Sequence, residues 1–334
     1  MFESIILYVC ADNDLSNFAD KDLLELKSIS IPQYMQVDQR CKGWGDKRPN
    51  SFRIARKGGS EEKIMLKKEL DTGEVSSLKE FLSWVESHSV NFEKSLFIFW
   101  GHGQGWMGSC NDFKNQDRLD LLEIRDLMSN YHFKAVGFDA CIMASLEVME
   151  VLGNSTPTFL GSQEVEPKDG WHYAHILPQA DKIPDFINAM AMRYVEQESE
   201  KPLCLSLVRT EKIPSLIKGL NSLSEGLSQM FEACKEVWDE IPRIANGEYV
   251  DLYTLLERTE ANILPFSQKA GELKNMLEQQ IVERNYTNCS DYRGVSLWLP
   301  KSVRSYKMEK YSQLPLASSC PAYLDLLQRY VTIN

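Results

Sequence analysis

Two short apolar runs, each ending in a chemically potent side chain, limit what this chain can fold into. Leu96-Phe97-Ile98-Phe99-Trp100 leads into Gly101-His102-Gly103, and Ala135-Val136-Gly137-Phe138 leads into Asp139-Ala140-Cys141. Apolar runs without alternation read as strands buried on both faces. A helix opens at Ser76-Ser77 with a Ser cap and Glu80 behind it, and its stripe of Leu78, Phe81, Leu82 and Val85 precedes the first run. A second amphipathic helix over Leu119–Ser129 separates the two runs. Strand, helix, strand at this spacing is a βαβ unit, so the runs are expected as parallel neighbours in an α/β fold.

In open parallel sheets, sites collect beyond the carboxyl ends of strands. Paired strands lie about 5 Å apart, so His102 and Cys141, each just past such an end, can face one cleft. Cys141 is expected to open the helix Ile142–Leu152, where free N–H groups and the macrodipole lower a thiol pKa. A thiolate with a nearby imidazole is a nucleophile with its own acid and base. Backbone N–H groups near Gly103 and Cys141 are then the candidates for an oxyanion hole. A single Cys is ordinarily a core residue and a single His a satisfied polar group; the paired placement is what points to catalysis.

The rest of the chain supplies a frame. Ser4–Cys10 is a first buried strand, followed by a helix built on Leu15, Phe18, Ala19, Leu23, Leu24 and Leu26. Tyr34–Asp38 is a second strand, and Ser51–Arg56 with Lys63–Leu66 reads as a hairpin turned at Gly58-Gly59. Thr158–Gly161 and Cys204–Val208 are further strands, while residues 211–283 carry a largely helical pattern. A late strand is expected over 295–300, returning to the sheet edge, with a helical tail after it. The economical division is an α/β core with the active site over 1–210 and a mainly helical region over 211–334, packed together as one unit.

The formal charge of −11 argues against a general nucleic-acid binder, which needs a basic face for phosphates. No apolar stretch is long enough to span a membrane. The N-terminus has an acid, Glu3, where a signal peptide needs positive charge, which points to the cytoplasm. Eight dispersed cysteines without a C-x-x-C pair are expected to be reduced. A metal site drawn from His102, Cys110, Cys141 and His172 fits no zinc spacing.

Trp100-Gly101-His102-Gly103-Gln104-Gly105-Trp106 and Asp139-Ala140-Cys141-Ile142-Met143-Ala144 resemble the two signature segments of the clostripain-like cysteine peptidases, in the caspase-like group. The likeness continues in Ala11-Asp12-Asn13-Asp14-Leu15 and in residues 163–171, and so spans the first half of the chain. It implies a caspase-like, mostly parallel central sheet flanked by helices, with the helical region as an extension. It also implies a His102/Cys141 dyad, since no third triad member is evident, and cleavage of protein or peptide substrates after basic residues. In the family two acids line the pocket for P1, the residue before the scissile bond; Asp139 and Asp169 hold the matching positions, and two partly desolvated carboxylates favour Arg or Lys. Glu164 and Glu166 read as solvated or structural. Gln163 and Lys168 depart from the pattern, and Lys168 stands to neutralise part of the pocket. Relatives are often zymogens cut between the His and the Cys, which makes Lys114 and Arg118 the candidate self-cleavage sites and an activating protease or regulatory partner an alternative route. No cofactor is required. Some relatives need calcium, for which Asp112, Asp117 and Asp120 are possible oxygen ligands without a recognised loop spacing. The competing reading is a catalytically idle protein on the same fold, acting by binding.

Overall fold

A computed structural model describes residues 2–39, 50–175 and 203–333. Its centre is a nine-stranded sheet built from β1 (Ser4–Ala11), β2 (Gln33–Gln39), β3 (Ser51–Lys57), β4 (Ser60–Met65), β5 (Ser95–Trp100), β6 (Ala135–Asp139), β7 (Thr158–Gly161), β8 (Cys204–Arg209) and β9 (Val282–Thr287). The spatial order is β9-β8-β7-β6-β5-β1-β2-β3-β4. The middle strands β2, β1, β5, β6 and β7 run parallel, and antiparallel strands finish both edges.

Every residue of β1 and β5 is buried, as their unbroken apolar runs require. Alternate side chains feed two cores. Ile5, Leu7 and Val9 pack with Leu23 and Leu26 of the first helical segment, α1 (Ser16–Glu25) and the turn that follows it. Ile6, Tyr8 and Cys10 pack on the opposite face under α2 (Val75–Ser87), α3 (Leu121–Met128), α4 (Leu146–Leu152) and the C-terminal helices. The result is a three-layered α/β/α arrangement.

Several element boundaries differ from expectation. Helix α2 starts after Glu74 with no side-chain cap, rather than on a Ser cap. Leu119 belongs to a short ribbon, Ser109–Asp112 paired with Asp117–Leu119, and α3 begins only after Asp120. Asp120 and Glu123 form a reciprocal capping box there, which fixes that start. The late strand is Ser296–Trp298, and it pairs with Tyr249–Asp251 inside the C-terminal helices instead of reaching the main sheet. Its residues are fully buried among those helices, whereas β9, which takes the edge, is polar and half-buried. An edge strand needs little apolar character, so Val282–Thr287 carries no strong sequence signal. The strand that closes one side of the main sheet thus comes from the 211–334 region. Among the described residues no helix is long and apolar enough to cross a membrane. Cys41 lies outside the described residues; the other seven cysteines are free thiols.

Candidate active site

The pairing of β5 with β6 sets the site. Trp100 lies opposite Asp139, and the Gly101 N–H donates to the Asp139 carbonyl at 3.1 Å. His102 and Cys141 each stand two residues beyond that pair, just past the ends of adjacent strands. Gly103 packs on the chain at Cys141 so closely that a Cβ would meet the Cys141 carbonyl at 2.3 Å. Gly101 takes a left-handed φ of 143° against the Cys10 carbonyl, a conformation glycine accepts without strain. His102, Asp139, Ala140, Cys141, Glu166 and Lys168 all line one cavity of about 170 Å³.

Cys141 does not begin a helix. Ile142 adopts a left-handed φ of 65°, and the chain from 141 to 145 is a turn pinned to the following loop, with Ile142 N–H to the Glu164 carbonyl and Ala144 N–H to the Ser162 carbonyl. Helix α4 starts at Leu146, capped by Ser145. The thiol therefore lacks the helix dipole expected for it. Burial, then the charge of Glu166, pushes it up to about 12, although the Glu166 N–H donates to Sγ at 3.3 Å. In this state the thiol is protonated at neutral pH.

His102 has a partner that sequence reasoning missed. Its Nε2–H donates to Asp14 Oδ1 at 2.7 Å, and Lys168 Nζ donates to Asp14 Oδ2 at 2.9 Å. Lys168, then His102, holds Asp14 down at about 2, so it is ionised and accepts from both. The signal was present in the Ala11–Leu15 block, which places Asp14 three residues past β1, the strand beside β5. Phe113 stacks on the His102 ring at 5.5 Å.

Asp139 is 4% exposed, and its Oδ2 accepts from the Trp171 N–H at 3.2 Å and the Tyr173 hydroxyl at 2.8 Å. Trp171 fits against β6 because residue 137 is glycine; a Cβ there would touch the indole at 2.9 Å. Burial pushes Asp139 up to about 6. Asp22, which accepts from Trp100 Nε1 at 2.7 Å, is pushed to about 9 by burial and by Asp139. Glu166 is also buried and raised, so the acids around the cavity are Asp139, Glu166 and, behind them, Asp22 and Glu25. Asp169 is elsewhere: it is half-exposed, bound to Lys21 at 2.8 Å, and absent from the cavity lining. Lys168 turns to Asp14, not to Asp169.

Lys114 lies exposed in the turn of the 109–119 ribbon and pairs with Glu69, whereas Arg118 sits within the ribbon and is held by Gln104. The three loop acids do not gather as a calcium cage. Asp120 is consumed in capping α3, Asp117 accepts from the Arg118 N–H, and Asp112 takes N–H groups of Thr72, Lys114 and Asn115. Among the described residues the acids with ligand spacing are Asp12, Asp38 and Asp112, with one oxygen of each within 4.8 Å of the others. Burial pushes Asp38 of this trio up to about 8, so a proton satisfies part of it at neutral pH. No group containing His102, Cys110, Cys141 or His172 has such spacing among the described residues.

The sequence profile of the clostripain family matches residues 7–319. No curated protein sequence matches the chain. Among solved structures it is similar to a secreted C11 cysteine protease from Bacteroides thetaiotaomicron in complex with an irreversible peptide inhibitor, at 22% identity and a TM-score of 0.74, covering 95% of this chain and 98% of that one. It is similar as well to an inactive zymogen C11 protease from Parabacteroides distasonis, at 16% identity and a TM-score of 0.73, covering 95% and 97%. The B. thetaiotaomicron protease iotapain gives 13% identity and a TM-score of 0.71 over 95% and 98%. These likenesses show that the chain shares its fold with those proteases.

Proposed function

The chain belongs to the clostripain family of cysteine peptidases, and from that premise we propose that it is an endopeptidase cleaving after arginine or lysine, with Cys141 as nucleophile and His102 as its acid and base. The observation that carries the reading is the convergence of His102, Cys141 and the buried acid Asp139 on one cavity. With Nε2–H given to Asp14, Nδ1 is the ring nitrogen left to act as base. That base takes the thiol proton as sulfur attacks the scissile carbonyl, and returns it to the leaving amine. Backbone N–H groups near Gly103 and Cys141 are the proposed donors to the tetrahedral oxyanion. Water then hydrolyses the thioester by the same proton route. Asp14 holds the ring and stabilises the imidazolium, which extends the dyad by a positioning residue. Protein groups alone carry these steps.

The P1 panel tests this reading. Fluorogenic peptides with Arg or Lys at P1 are expected to turn over at least roughly a hundredfold faster than those with Asp or Leu, as charge pairing in a desolvated site implies. Equal rates for acidic and basic P1 contradict the pocket assignment, and absence of turnover favours the idle binding protein.

A latent form of the uncut chain is proposed on the family membership. The zymogen described from P. distasonis shares its fold. Internal cleavage after Lys114 is the proposed activating step, because that residue is exposed in a turn whereas Arg118 is tied into the ribbon; an activating protease is the other route to the same cut. Intact mass spectrometry of wild type after prolonged incubation is expected to give fragments split at Lys114-Asn115, which Cys141→Ala does not produce. Wild type that stays intact contradicts self-processing. Seven free thiols support the cytoplasm as its compartment, although two of the similar proteases are described as secreted.

A further inference from the structure

The backbone directly after Cys141 carries strain that its neighbours must hold. Ile142 is β-branched, yet it stands at a left-handed φ of 65°. That conformation crowds a branched Cβ, and such a residue keeps it only where surrounding bonds fix it; residues of this kind gather at active sites. The Ile142 N–H donates to the Glu164 carbonyl at 3.1 Å, so the path of the chain as it leaves Cys141 depends on where Glu164 sits. Two residues further along the same loop, the Glu166 N–H reaches the Cys141 sulfur.

Glu164 is held in turn by the 211–334 region. Its Oε2 accepts from the Ala245 N–H at 2.9 Å and from the Tyr292 hydroxyl at 2.7 Å. Tyr292 is buried, and its own carbonyl accepts from Asn285 Nδ2 of β9 at 2.7 Å, which seats the phenol. The same region grips the far end of the turn: the Ser296 N–H and hydroxyl both donate to the Ala144 carbonyl, at 2.9 and 3.1 Å. Glu164 itself is absent from the cavity lining, so any part it has in catalysis runs through the turn.

We propose that Glu164 is a positioning residue for the nucleophile: its carbonyl holds the left-handed turn that aims the Cys141 sulfur, and Ala245 and Tyr292 set where that carbonyl stands. The proposal rests on Cys141 as the nucleophile and adds what keeps it aligned. Attack needs the sulfur in line with both the scissile carbonyl and the imidazole, and a displacement of about 1 Å can cost about a hundredfold in rate. Without the bonds to its carboxyl, Glu164 loses its anchor, and the strain at Ile142 is free to relax by turning the chain at Cys141. The 211–334 region is then part of the catalytic frame as well as a cover for the sheet.

The test measures kcat and KM on an Arg-P1 peptide, and the rate at which iodoacetamide alkylates Cys141 by peptide mapping, in wild type, Glu164→Ala, Glu164→Gln and Tyr292→Phe. Iodoacetamide is small and neutral, so it reads the state of the sulfur without using the P1 cavity. Glu164→Ala is expected to lower kcat roughly tenfold or more with KM within about twofold of wild type, and to slow alkylation by a similar factor. Tyr292→Phe loses one hydroxyl and keeps its ring; it is expected to lower both rates roughly threefold or more with the thermal midpoint within a few degrees of wild type. Glu164→Gln keeps an oxygen for Ala245 and Tyr292 and is expected to recover both rates to within about threefold of wild type. Folded Tyr292→Phe that keeps both rates within less than about threefold of wild type overturns the proposal, whether or not Glu164→Ala folds. A raised KM with kcat and alkylation unchanged overturns it as well. Wild type that cleaves no peptide and whose Cys141 is alkylated no faster than its other thiols overturns the nucleophile itself, which separates the two failures.

Discussion

Cys141→Ala is expected to lower kcat/KM on an Arg-P1 peptide by roughly a thousandfold or more, with the thermal transition unchanged within a few degrees. The size of the effect follows from the lack of any substitute nucleophile. Of the other described thiols, none lines the cavity that His102 shares with Asp139. Structure survives because the change removes one sulfur from a half-buried turn that is pinned by the backbone bonds at Ile142 and Ala144. His102→Ala is expected to lose roughly a hundred- to ten-thousandfold. Its loss is large because the thiol has little activation of its own: no helix terminus faces it, and burial, then the charge of Glu166, pushes it up to about 12. Stopped-assay kinetics with active-site titration measures both. Residual activity in Cys141→Ala above about one per cent of wild type would assign the nucleophile to another residue.

The second large effect is at Asp139. Asp139→Asn is expected to reduce kcat/KM for Arg-P1 peptides by about two orders of magnitude, while a citrulline peptide loses no more than a few-fold, since truncating one side of a desolvated charge pair typically costs about 2–5 kcal/mol. The substitution is tolerated by the fold for a specific reason. Two donors to Asp139, the Trp171 N–H and the Tyr173 hydroxyl, reach the same oxygen, Oδ2, and Glu166 is hydrogen-bonded to the carboxyl as well. An asparagine amide can place its oxygen there and turn its NH₂ toward Glu166, to which it donates. Loss of Arg and citrulline cleavage in equal measure would mean that Asp139 is a structural acid, not a determinant of P1.

What the sequence made legible was the part encoded locally. Unbroken apolar runs at Ser4–Cys10, Leu96–Trp100 and Ala135–Phe138 specify central parallel strands, and strand-end placement brings His102 and Cys141 to one side of the sheet. The misses share one cause: they depend on contacts between distant segments. Asp14 meets His102 because β1 and β5 pair, a contact between residues 88 positions apart. Glu166 looks like a solvated loop acid until Trp171 folds over Gly137 and buries it. Asp169 sits three residues further along the same loop and is drawn outward by Lys21 of α1. The Ile142–Leu152 pattern does read as a helix, yet hydrogen bonds from residues 142 and 144 to the loop at 162–164 delay its start to Leu146. That delay reverses the expected sign of the thiol's shift, from lowered by a helix terminus to raised by burial. The polar strand β9 and the buried late strand exchanged roles for the same kind of reason, since packing partners rather than composition decide which segment becomes an edge.

Cys141 is thus the proposed nucleophile of a cavity that admits a cationic P1 side chain. Peptide-mapping mass spectrometry after brief exposure to a peptidyl acyloxymethyl ketone, bearing either Arg or Asp at P1, tests it most directly. The prediction is a single adduct, on Cys141, formed by the Arg reagent, absent from Cys141→Ala and at least tenfold slower with the Asp reagent. An adduct centred on any other cysteine, or equal labelling of Cys141 by the two reagents, would contradict it.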